Sequence, residues 1–186
     1  MAVTAIDPKT ALVVIDLQKG IMTYPTVHPA TEIVARSAEL AKEFRRLGLP
    51  VILVNVNGGA PGRTEQSRSV GERPADWADL VPELDAEPTD YLVTKQTWGA
   101  FYNTSLHEYL QAQGVTQIVL TGISTSAGVE STARSAYEHG YNVTIATDAV
   151  TDMVPESHRH SVERVFPRLG ETGTTAEIIE LLARGR

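Results

Sequence analysis

Two charges and one turn carry the chemistry that can be read from this 186-residue chain. Asp16 closes the unbroken apolar run Ala11 to Ile15, and Lys95 follows the short stretch Tyr91 to Thr94. A carboxylate in a partly dry pocket can give or take a proton. An ammonium beside it can orient it, hold an anionic substrate or offset charge that develops during reaction. The third feature runs from Gly114 to Gly140: an apolar stretch (Ile118, Val119, Leu120), Gly122, the hydroxyls of Ser124, Thr125 and Ser126, the small residues Ala127 and Gly128, then Val129, Ala133 and Ala136 at helical spacing. This reads as strand, tight turn and helix. The hydroxyls suit a helix N-cap, and the small residues would let a carboxylate or oxyanion approach the first helical turn, where free N–H groups and the positive end of the dipole point outward. Ser126 or Thr125 could attack a substrate only with a base within hydrogen-bond reach, so capping is the plainer role. A lysine beside Asp16 lowers its pKa, whereas a general acid near neutrality needs a raised one; burial must outweigh the ammonium for Asp16 to be that acid.

Positioning these groups falls to an alternation of strands and helices. Strands are expected at Ala11 to Ile15, Val51 to Val56, Tyr91 to Thr94, around Ile118 to Leu120, at Val143 to Ala146 running into Thr147 and Asp148, and weakly at Gly170 to Thr174. Helices are expected at Ala30 to Leu47, Ser105 to Gln113, after the turn, His158 to Val165 and Ala176 to Ala183. The pattern predicts an α/β fold, a three-layer doubly wound sandwich on a mainly parallel six-stranded sheet of probable order 3-2-1-4-5-6. Sites in such sheets lie beyond the carboxyl ends of the strands. Asp16, Lys95 and the turn all fall there, with strand three about 10 Å from strand one, a gap that a lysine side chain can largely cover. Residues 57–90 read as a surface excursion from a single domain spanning 1–186, a candidate lid with a short helical stretch at Trp77 to Leu84 and three arginines, Arg63, Arg68 and Arg73, that could clamp a carboxylate but read more simply as solvated charges.

Composition narrows the function classes. With 16 basic and 23 acidic residues, a net charge of −7, the chain lacks the basic surface that nucleic acid or an anionic membrane requires. No apolar run approaches the roughly 20 residues of a membrane span, and the first residues lack a basic-then-apolar leader pattern, so a cytoplasmic location is the expectation. Cysteine is absent. The five histidines (His28, His107, His139, His158, His160) are scattered, and His158 and His160 point to different faces of one helix, so surface histidines and no metal are expected. GGAPGR and GETGTT lack the spacing of a phosphate loop or dinucleotide fingerprint, so no nucleotide cofactor is implied. Trp98 and Phe101 could wall a pocket or belong to the core; Gln18 could bind substrate or its own loop; Asp148 reads as a turn cap, Glu130 and Thr132 as structural.

Val13-Val14-Ile15-Asp16-Leu17-Gln18, Thr94-Lys95-Gln96-Thr97-Trp98-Gly99-Ala100-Phe101 and the turn, in that order, resemble the isochorismatase-like hydrolase superfamily, which includes nicotinamidases and N-carbamoylsarcosine amidohydrolases. In the amidase branches the turn carries a nucleophilic cysteine where this chain has Gly128, activated by the residues matching Asp16 and Lys95. The isochorismatase branch commonly has glycine there, and its aspartate protonates a vinyl ether that water then cleaves. That branch places tyrosine at Ser124 and histidine at Ser126, so the contacts to a bound ring differ here. Nicotinamidases add an Asp-x-His pattern after the second strand, where this chain reads Asn55-Val56-Asn57. The resemblance also implies a cis peptide at Ile123–Ser124 and a homo-oligomer, a dimer or tetramer. It implies a hydrolase of a small-molecule substrate that works without a cysteine intermediate or cofactor: Asp16 as acid or base, Lys95 as its electrostatic partner and Gly128 in the nucleophile's place; the candidate substrate contacts read from the residues are Gln18, Trp98, Phe101, Ser124, Thr125 and Ser126. The alternative is an inactive member that binds a small metabolite or a partner protein.

Overall fold

The computed structural model describes residues 3–65 and 73–184. Its strands are β1 (Thr10–Ile15), β2 (Val51–Val56), β3 (Tyr91–Lys95), β4 (Gln117–Ile123), β5 (Asn142–Thr151) and β6 (Glu171–Gly173). They form one six-stranded sheet in the order β3-β2-β1-β4-β5-β6. Every pairing is parallel. The helices are α1 (Ala30–Arg46), α2 (Leu106–Ala112), α3 (Glu130–Glu138), α4 (Pro155–His160), α5 (Phe166–Leu169) and α6 (Thr175–Arg184).

β1 lies at the centre, and its continuous apolar sequence follows from burial on both faces. Val13 and Ile15 pack into one core with Ala133 and Ala136 of α3, Leu106 and Leu110 of α2, and Phe166 of α5. Leu12 and Val14 pack into the other with Ile33, Leu40 and Phe44 of α1 and Ile178 and Leu182 of α6. The i, i+3, i+4 spacing of Ile33, Val34, Ser37, Leu40, Ala41 and Phe44 is the buried stripe of α1. Two alternating side-chain sets on one strand therefore hold helices on opposite faces of the sheet, which gives the three layers.

Register aligns the strand ends that bear the chemistry: Ile15 pairs with Val54 and with Gly122, and Val56 pairs with Lys95. Gly122 (φ 118°) permits the close approach of β4 to β1, because a β-carbon there would fall 2.0 Å from the Ile15 carbonyl oxygen. β5 runs five residues beyond the expected Ala146. Its pairing with β4 jumps from Leu120↔Ile145 to Gly122↔Val150, so the polar Thr147-Asp148 step is an irregularity within the strand and not its end. The helix expected from His158 starts earlier, at Pro155, whose fixed φ suits a first helical position, and continues through a π-helical stretch (Ser161–Val165) into α5. Trp77 to Leu84 holds turns and one 3₁₀ turn at Pro82–Leu84 in place of a longer helix. Among the described residues, no helix is long and apolar enough to cross a membrane.

Candidate active site

Asp16 follows the last residue of β1 with φ 54°, a left-handed conformation that aspartate tolerates better than most side chains. Its N–H donates to the Val54 carbonyl at 2.9 Å and its carbonyl accepts from the Gln18 N–H at 2.9 Å. This turn sets the carboxyl beyond the strand end. Lys95 reaches it from two strands away: Nζ donates to Asp16 Oδ2 at 2.7 Å and to the Thr97 carbonyl at 3.1 Å. The two residues are 5% and 1% exposed. Burial raises the Asp16 pKa from 3.8 to about 6 against the lowering pull of the Lys95 charge and hydrogen bond, so desolvation wins the contest. Asp16 Oδ1 is buried and makes no hydrogen bond.

The turn after β4 packs on this pair. It opens with a cis Ile123–Ser124 peptide, as the resemblance implied, and continues as a π-helical turn (Thr125–Val129) into α3. A β-carbon placed on Gly128 would lie 2.9 Å from Ile15 Cγ2 and 3.2 Å from Asp16 Oδ2, so the helix backbone here lies against the carboxyl with no room to spare. Thr132 fastens the neighbouring loop: its hydroxyl donates to the Gly128 carbonyl at 2.7 Å and accepts from the Ala100 N–H at 3.1 Å.

The turn's hydroxyls do not cap the helix, contrary to expectation. Asp152, just past β5, does that work from outside. Its Oδ2 accepts from the Ser126 N–H at 2.7 Å, from Ser126 Oγ at 2.8 Å and from Ser124 Oγ at 2.7 Å, and its Oδ1 accepts from the Val154 N–H at 3.2 Å. Burial pushes the Asp152 pKa up, but these bonds outweigh it and hold the pKa below the usual carboxylate value. Thr125 Oγ1 lies 2.9 Å from His158 Nδ1. Burial, then the neighbouring His28, holds the His158 pKa down.

A cavity of about 940 Å³ opens above the pair. Asp16, Lys95, Ile123, Ser124, Ala127 and Gly128 form its floor side, and Tyr24, Arg73, Trp77, Trp98 and Met153 line the rest with their neighbours. Of the expected contact residues, Ser124 and Trp98 (57% exposed) line it. The other four sit behind its wall. Gln18 is fully buried and spent on backbone, donating to the carbonyls of Val56 and Trp77 and accepting from the Val56 N–H. Phe101 is core, its ring 5.2 Å from His139 and 6.0 Å from Tyr141. Thr125 is fully buried against His158, and Ser126 is turned to Asp152, so neither is set to attack a molecule in the cavity.

The excursion supplies one wall. Gln18 and Leu80 form an antiparallel bridge, and the Lys19 ammonium pairs with Asp76 at 3.0 Å and Asp79 at 3.2 Å. Arg73 lies 3.9 Å from the Trp77 ring centroid, a cation–π contact. Arg63 is exposed, and Arg68 lies outside the described residues. The histidines are not merely solvated: His107 stacks on His139 at 4.0 Å and its Nδ1 lies 3.0 Å from Tyr141 Oη, while His158 is built into the turn. Among the described residues, no group of three or more His, Cys, Asp or Glu is placed to hold a metal ion. Asp148, the acid that the shorter strand put in view, is a cap as read from the sequence, holding the start of α6 through Thr175. Asp152, Trp77, Tyr24 and Met153 carried no signal of their own; only the true end of β5 would have pointed to Asp152.

The sheet order, the buried Asp16–Lys95 pair and the turn define a three-layer α/β fold of one particular kind. The chain belongs to the isochorismatase family: the isochorismatase domain matches residues 10–177. It is 42% identical over 179 residues to the uncharacterized isochorismatase family protein YwoC of Bacillus subtilis, covering 92% of this chain and 93% of that one. It is 30% identical to the ureidoacrylate amidohydrolase RutB of Methylobacterium radiotolerans, covering 87% of this chain and 75% of that one. Among solved structures, an isochorismatase family protein from Burkholderia thailandensis superposes with a TM-score of 0.93 at 40% identity, covering 96% of this chain and 98% of that one.

Proposed function

We propose that this protein is a small-metabolite hydrolase that works without a cysteine nucleophile, with Asp16 moving a proton to or from the substrate and Lys95 holding that carboxyl and offsetting developing charge. The observation that carries the reading is the state of Asp16: a buried carboxyl at the cavity floor, fixed by one lysine, with one oxygen free of hydrogen bonds and a pKa of about 6. At pH 7 such a group is about one-tenth protonated, so it can act as acid or base within one catalytic cycle. Gly128, at the position where the resemblance puts the thiol, leaves the attack to water. The same position in the amidase branches would need a β-carbon where Ile15 and Asp16 leave too little space here.

The test is turnover of a panel of small vinyl ethers and amides by the wild type and by Asp16→Asn, which keeps size and tolerates the left-handed backbone. Saturable hydrolysis that falls at least about a hundredfold in the variant supports the reading. Hydrolysis that survives in Asp16→Asn sinks Asp16 as the proton carrier. Binding of panel members with no turnover by the wild type supports instead the inactive, metabolite-binding member, which the missing thiol favours.

A further inference from the structure

Resting on the reading of this cavity as the substrate site, we propose that the Ser124 hydroxyl determines specificity by offering only hydrogen-bond acceptors to the bound molecule. The substrate class is then one that sets an amide, amine or hydroxyl donor against Ser124, and a carboxylate at that spot is rejected.

Ser124 lines the cavity between Ile123 and Ala127. A serine hydroxyl has one proton and two lone pairs. The proton is committed, because Oγ donates to Asp152 Oδ2 at 2.7 Å. Asp152 cannot return the favour. Its two oxygens already accept from the Ser126 N–H, Ser126 Oγ and the Val154 N–H, and an ionised carboxylate held by so many donors has no proton to give. Asp152 is 3% exposed, so its charge is poorly screened by water. A ligand at Ser124 therefore meets lone pairs with a negative charge directly behind them. A donor there completes a chain, donor to Ser124 to carboxylate, in which each bond polarises the next. A carboxylate there faces acceptors and like charge, which is selection by repulsion as much as by attraction.

Another part of the floor has the complementary polarity. Lys95 Nζ has three protons and spends two, on Asp16 Oδ2 and the Thr97 carbonyl. The third proton of Lys95, and Asp16 when protonated, can serve an acceptor. A group with an acceptor at one end and an N–H or O–H at the other satisfies both ends of the floor, and a carboxylate satisfies one. Ser124 does not serve as a nucleophile in this arrangement, since the base at its hydroxyl is a carboxylate whose proton affinity is lowered by its hydrogen bonds.

Benzamide and benzoate are near-isosteric probes that differ in this one property. Trp77 and Trp98 are the only tryptophans of the chain and both line the cavity, so intrinsic fluorescence reports binding. At pH 8 the wild type is expected to bind benzamide at least about tenfold tighter than benzoate. In Ser124→Ala that ratio falls through weaker benzamide binding, and in Asp152→Asn it falls because the negative charge behind Ser124 is gone. If Asp152→Asn does not fold, as judged by circular dichroism, Ser124→Ala carries the test. Benzoate binding as tightly as benzamide, a ratio unchanged in the folded variants, or no binding of benzamide, benzyl alcohol or benzylamine at tens of millimolar overturns the proposal. The readout is binding alone, so these outcomes are independent of whether the protein turns over any substrate.

Discussion

Replacing Gly128 by alanine sets two effects of opposite sign against each other. Glycine inside a helix costs about 1 kcal/mol relative to alanine, so propensity alone makes the substitution stabilising. The added methyl would sit 2.9 Å from Ile15 Cγ2, well inside the optimal carbon–carbon separation of about 3.5–4 Å. Ile15 cannot swing aside freely, because it is β-branched, fully buried and ends the central strand. Overpacking of this kind costs about 1–3 kcal/mol, and less the gain of about 1 kcal/mol in propensity the net expectation is a loss of up to about 2 kcal/mol. For 186 residues, an unfolding entropy of about 2.1 cal/mol/K per residue gives about 0.4 kcal/mol/K, and the loss corresponds to a fall in Tm of up to about 5 °C. Differential scanning calorimetry of the two proteins in one buffer decides the matter. A raised Tm, the result propensity alone would give, would refute the claim that the turn is pressed against β1 and Asp16, and with it the steric account of why glycine stands at this position.

Two further perturbations separate charge from packing. Because the folded Asp16 carboxyl titrates at about 6 against an ordinary aspartate value of 3.8, folding takes up a proton between those values, so this group's contribution is fully present below about pH 4 and about 3 kcal/mol of it is lost as pH rises past 6. Lys95→Met removes what holds that pKa down, so urea midpoints are expected to show a penalty that is larger at pH 8.5 than at pH 5.5 by about 1–2 kcal/mol; a pH-independent penalty contradicts the coupling. Asp152→Ala strands the Ser126 N–H and two hydroxyls in a half-buried turn, with an expected cost of about 2–4 kcal/mol by urea denaturation, and a cost below about 0.5 kcal/mol would show that the turn holds its shape without Asp152.

The strands were legible where burial on both faces leaves no room for polar residues, as in Ala11–Ile15 and Ile118–Leu120, and alternation with helices then implied the sheet order. Strand ends gave Asp16 and Lys95, since a parallel sheet gathers its carboxyl ends on one side. What escaped was the result of long-range pairing. β5 continues past Thr147 and Asp148 because β4 pairs with it again at Val150 and Thr151, and local sequence alone makes that polar step look like an ending; Asp152 was lost with it. Gln18 stands beside Asp16 in sequence, but its amide is taken by backbone from β2 and the excursion, which no local pattern reveals. Phe101 follows Trp98 by three residues, yet one faces the core and the other the cavity, because residues 99–104 turn the chain back onto α3.

The most direct measurement is the titration of the Asp16 side chain by NMR in protein labelled with ¹³C at the aspartate carboxyl, with the resonance assigned by its absence from Asp16→Asn. A midpoint near 6 that moves upward in Lys95→Met is expected if burial governs the carboxyl and the lysine opposes it. A midpoint at or below 3.8 would mean that the ammonium wins, leaving Asp16 ionised at every working pH and removing the proton on which the proposed chemistry depends.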